Sequence, residues 1–147
     1  MRLILLMAAA QLLSDGAPLD RPVHVLSEGE GQGDYVSAPH RTAEDRRTAW
    51  SWSVSRTAGG EILIDAFLNE YDCGASSFLR IRQERYRDST LYDTRMGNTA
   101  FRPPHWLEME ARLVRDICTD RVEGLVQIDS VHAAAGRISA PRQRSMS

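Results

Sequence analysis

The chain has 147 residues, 42% of them apolar and 26% charged, which fits one globular domain and excludes a wholly disordered chain. A formal net charge of −2 argues against a polycation built for nucleic acid, and the basic residues are all arginine, with no lysine. Two cysteines are too few for a disulfide-rich miniprotein or a four-cysteine zinc site, and no apolar run is long enough to anchor the chain across a bilayer.

Met1 and Arg2 precede the apolar stretch from Leu3 to Leu13, and small residues and Pro18 follow. That is the pattern of a secretory signal, so residues 1–17 are expected to direct export and to be removed after Ala10, Gly16 or Ala17. The competing reading is an N-terminal core helix. Export places the protein in the periplasm or at the cell surface, and no cysteine near this segment could carry a lipid. In an oxidising compartment Cys73 and Cys118 most simply pair with each other. Closing that loop of about 45 residues stabilises a fold by roughly 4 kcal/mol in the chain-entropy model. Two buried free thiols in a cytosolic protein are the alternative.

Residues 22–26 read as a short strand, the glycine-rich acidic stretch 27–33 as a loop, and 34–37 as a returning strand. Residues 39–47 are polar and read as a further loop. Strict period two follows: Trp50, Trp52 and Val54 alternate with Ser51, Ser53 and Ser55. A glycine break at Gly59-Gly60 leads into a strand over 62–72, a turn at 74–77 and a third strand over 78–86. Pro103 and Pro104 open a helix whose stripe is Trp106, Met109, Leu113, Val114, Ile117 and Cys118. Beyond Thr119 the pattern weakens to an edge strand within 122–128, a short helix within 130–138 and a basic, disordered end. The expected fold is α+β: an antiparallel sheet with a C-terminal helix packed on one face and one disulfide. The expected domain spans 18–120, with 121–147 as a partly disordered extension.

The strand ending Asn69-Glu70-Tyr71-Asp72-Cys73, the following Phe78-Leu79-Arg80-Ile81-Arg82 and the stretch from Trp106 to Cys118 together resemble the bacterial surface-adhesin protein E-like domain family. The resemblance covers roughly residues 23–119 and rests on order and spacing. It implies an exported, non-enzymatic domain with a curved sheet backed by a helix and stapled by one disulfide. The absence of lysine and of an N-terminal lipid-bearing cysteine departs from the family's founding surface protein.

Candidate binding residues are few. Arg80, Arg82, Arg85 and Arg87 are the densest basic cluster and suit an anionic polymer or a protein partner at the cell envelope. Alternation places Arg80 and Arg82 on one face, joined by Arg85 and Arg87 only if a bulge shifts the register. On that placement, replacing Arg80 and Arg82 by alanine leaves folding almost intact. Trp50 and Trp52 either anchor a partner or fill the core, and a two-layer domain needs large residues in the core. His24, His40, His105 and His132 are scattered, so neither a metal nor a cofactor is expected. No hydrolase motif appears. The function expected is a non-catalytic binding module; a small periplasmic enzyme or enzyme inhibitor is the alternative.

Overall fold

The computed structural model describes residues 16–141, so the expected signal segment 1–15 and the end 142–147 lie outside the described residues. Among the described residues eight strands form one antiparallel sheet: β1 (Val23–Gly29), β2 (Gln32–Val36), β3 (His40–Ala43), β4 (Arg46–Arg56), β5 (Ile62–Asp72), β6 (Ser77–Arg87), β7 (Thr90–Met96) and β8 (Gln127–Ile128). Their order across the sheet is β7-β6-β5-β4-β2-β1-β8, with β3 beside the first residues of β4. Among the described residues two α-helices, α1 (Met109–Cys118) and α2 (Val131–Arg137), complete the fold, with a 3-10 turn (Val122–Gly124) between them.

The alternation of β4 divides the molecule into two layers of core. Trp50, Trp52 and Val54 bury against Ile64, Ala66 and Leu68 of β5 and Val131, Ala134 and Ala135 of α2. The intervening positions turn the other way. There Ala49, Tyr71 and Phe78 share a second cluster with Leu113, Val114 and Ile117 of α1. Each face of the sheet therefore carries its own helix. Cys73, just past β5, is bonded to Cys118, the last residue of α1, with their Cα atoms 5.4 Å apart.

Four sequence expectations shift. The glycine-rich stretch 27–33 is mostly strand, since β1 runs to Gly29 and pairs with β2 from Gln32, leaving Glu30 and Gly31, the latter at positive φ, as the turn. The polar stretch 39–47 contains β3, whose four residues are all exposed and so show no apolar alternation. The helix begins at Met109, six residues beyond Pro103, and Trp106 is 78% exposed instead of joining the apolar stripe. Residues 105–108 instead form a turn, the Glu108 N–H donating to the His105 carbonyl at 2.9 Å, before the helix begins. Finally, the core does not end at residue 120: Val122, Ile128, Val131, Ala134, Ala135 and Ile138 are all buried. Small residues at helical spacing, Ala134 and Ala135 above all, let α2 lie close against the tryptophans.

Two turns set the strand pairing. Asp88 and Ser89, both at positive φ, form the two-residue hairpin between β6 and β7, matching the right-handed twist of the flanking strands. Gly97 ends β7 so close to β6 that a β-carbon would fall on the Arg80 carbonyl oxygen, while its own N–H donates to the Ile81 carbonyl at 2.9 Å.

Candidate functional site

The arginines of β6 are sorted by a bulge. Leu68 faces Arg82 across the β5–β6 ladder but Asn69 faces Arg80, so Ile81 has no partner on β5. The extra residue sends Arg80 to the α1 face together with Arg85 and Arg87, while Arg82 lies on the tryptophan face, opposite Leu68. The expected pairing of Arg80 with Arg82 is thereby corrected.

On the α1 face, Arg80 lies over the Phe67 ring, 4.3 Å from its centroid, and donates to Asn69 Oδ1 at 3.3 Å. It also donates to the carboxylate of Glu110, a buried residue of α1. Arg85 pairs with Asp65 at 3.0 Å and Arg87 with Glu61 at 3.1 Å. The hydrogen bond to Asp65 strengthens the hold of the Arg85 guanidinium on its proton. Both guanidinium groups approach Tyr92 on β7, at 5.8 and 5.4 Å from the ring centroid. Each of these three arginines already has a carboxylate. The cluster is a charge-balanced surface instead of a bare cationic patch.

On the opposite face, Arg82 Nε stands 3.0 Å from Glu84 Oε1. Glu84 is fully buried, and its other oxygen accepts from the Tyr86 hydroxyl and from the Ala17 backbone N–H at 3.1 Å. Burial, followed by the hydrogen bond to Glu84, pushes the Tyr86 phenol well above its ordinary range. Nothing in the local pattern announces Glu84, because a carboxylate among alternating arginines reads as a solvated salt bridge.

Trp50 and Trp52 are 3% and 0% exposed and stack with ring centroids 6.5 Å apart, so they serve the core and offer no anchor to a partner. A pocket of about 260 Å³ opens beside them, walled by Pro18, Arg21, Pro22, Ser37 and Thr48. The exposed apolar side chains lie elsewhere. On β7, Leu91, Tyr92 and Met96 are 44%, 49% and 75% exposed. β7 pairs with β6 on one side and, among the described residues, with no strand on the other. No group of three His, Cys, Asp or Glu side chains able to hold a metal occurs among the described residues. No helix among them is long and apolar enough to cross a membrane.

Compared with known proteins, the chain matches no family model, no curated protein and no solved structure.

Proposed function

We propose that this chain is an exported, non-catalytic envelope module of the surface-adhesin protein E-like kind, a helix-backed sheet that binds a protein partner along β7. The observation that carries the reading is the edge of β7, open among the described residues, with Leu91, Tyr92 and Met96 exposed on one seven-residue strand. An unpaired edge offers a row of N–H and C=O groups to an extended partner segment, and exposed apolar side chains give such a strand pockets to fill. Arg85 and Arg87, held beside Tyr92, supply polar contacts at its border. Asp65 and Glu61 neutralise the charge that would draw a polyanion to these arginines, which favours a polypeptide over an anionic polymer. The disulfide supports export, since such bonds persist in oxidising compartments.

A photo-cross-linking residue placed at position 92, and separately at exposed Glu123 as a remote control, tests the reading in the native envelope. The expected result is a discrete protein adduct from position 92 alone, lost when Leu91 and Met96 are both changed to serine. Equal labelling from the two positions, or none from position 92, would remove β7 as the contact.

A further inference from the structure

We infer that Glu84 is the seat of the mature N-terminus: cleavage between Gly16 and Ala17 places the Ala17 α-ammonium on the buried Glu84 carboxylate. The inference rests on the export reading and goes beyond it by naming the bond cut and the group that receives the new end.

Glu84 occupies the middle of β6, opposite Ala66, on the face filled by Trp50, Trp52 and Ile64. A carboxylate there loses its hydration and is tolerated only when charges and donors surround it. Arg82 meets one oxygen. The other accepts, among the described residues, from two neutral donors, the Tyr86 hydroxyl and the Ala17 amide N–H. Gly16 sits at the same place, since a β-carbon on it would stand 3.4 Å from both Glu84 Oε2 and the Tyr86 oxygen. The bond between residues 16 and 17 is thus held at the carboxylate.

The sequence before it suits a signal peptidase, with Ser14 and Gly16 as the small residues three places and one place ahead of Ala17. Downstream, the segment is fixed independently of what precedes it. Pro18 restricts the backbone, and the Leu19 carbonyl accepts the N–H of Val131 at 3.0 Å, tying the segment to α2. Hydrolysis adds water across the peptide bond. Gly16 leaves with the new carboxylate, and the Ala17 nitrogen, an amine with an ordinary pKa of about 8, takes up a proton. A single neutral N–H donor becomes a cation with three protons, and the bond to Glu84 becomes charge-assisted, which roughly doubles its strength.

The absence of lysine makes the test clean, because the α-amine is then the sole aliphatic amine in the chain. The full chain is secreted from a bacterial host and its mass determined. A first residue of Ala17 is expected. A start at Gln11 or Pro18 overturns the seat and leaves export standing; an intact Met1 overturns both. Acetylating the mature α-amine should then lower the melting temperature by about 4 °C. Glu84→Gln should lower it comparably, and the two changes together should cost no more than the larger alone. An unchanged melting temperature on acetylation, or fully additive losses, overturns the seat. If Glu84→Gln does not fold, acetylation of the unaltered protein decides alone.

Discussion

Arg80 and Arg82 stand two residues apart on one strand and lie on opposite faces of the sheet, separated by Ile81, which has no partner on β5. Both are structural cations. Arg80 holds Glu110 of α1, and Arg82 holds Glu84 beneath the N-terminal segment. Replacing either by alanine leaves a buried carboxylate without its main counter-charge, so each change should cost about 2–4 kcal/mol of unfolding free energy. Arg85→Ala, whose pair with Asp65 is open to water, should leave stability within error. Urea unfolding of the three variants makes the comparison. Arg80→Ala as stable as Arg85→Ala would mean that Arg80 contributes nothing to holding α1.

The period-two signal of β4 is plain in sequence because Trp50, Trp52 and Val54 alternate with Ser51, Ser53 and Ser55. The bulge at Ile81 is invisible in the same way, since a polar-apolar alternation continues through Arg80, Ile81 and Arg82 without a break. Only the neighbouring strand reveals which residue lacks a partner. The same cause hides Glu84, whose burial depends on β5 and on the chain around Ala17. By contrast Cys73 and Cys118 are legible as a pair, being the only cysteines in the chain. α2 is weakly marked because its buried surface is made by alanine, which contributes little hydropathy and fits where the tryptophans leave little room.

Loss of the Cys73–Cys118 bond should lower stability by roughly 4 kcal/mol through the freed 45-residue loop. The bond joins the end of β5 to the end of α1, so its loss also frees the helix to leave Tyr71 and Phe78. Thermal melting of Cys73→Ala with Cys118→Ala, against the oxidised protein, reads the difference. Coincident melting curves would mean that packing alone holds α1.

Gly97→Ala should be among the most damaging single methyl additions in the molecule. The added carbon meets the Arg80 carbonyl, a backbone atom that cannot swing aside, at the point where β7 closes against the bulge. Separation of β7 from β6 would expose the ladder hydrogen bonds of both strands. Hydrogen exchange is the appropriate measurement: amides of β7 should lose protection first, while those of β4 and β5 keep theirs. Unaltered β7 protection would refute the close approach.

Ending the chain after residue 121 tests whether the C-terminal stretch is an appendage or part of the core. It removes Ile128, Val131, Ala134, Ala135 and Ile138, and with them the cover over Trp52. It also removes the carbonyl groups of Ala135 and Ile138 that accept from Arg56. The shortened chain should bind a hydrophobic dye and show red-shifted tryptophan emission. Emission identical to that of the full chain would make the last residues dispensable.

Alkaline unfolding provides the pH test. Burial raises the phenols of Tyr35, Tyr71 and Tyr86 above their ordinary range, aided at Tyr35 by Glu28 and at Tyr86 by Glu84. In the folded protein these groups stay neutral where the unfolded chain, with phenols near pH 10, ionises. A raised folded pKa contributes stability that is complete below the unfolded value and is lost as pH climbs past it. Stability should therefore hold up to about pH 10 and fall steeply beyond it as the unfolded chain releases protons that the folded one retains. Phenolate absorbance near 295 nm should rise together with the loss of tertiary circular dichroism as the buried phenols ionise on opening. Ionisation of all three buried phenols near pH 10 with the fold intact would mean that water reaches them. Tyr86→Phe, which removes a donor from Glu84, separates that contribution from the rest by lowering stability at neutral pH while delaying the alkaline fall.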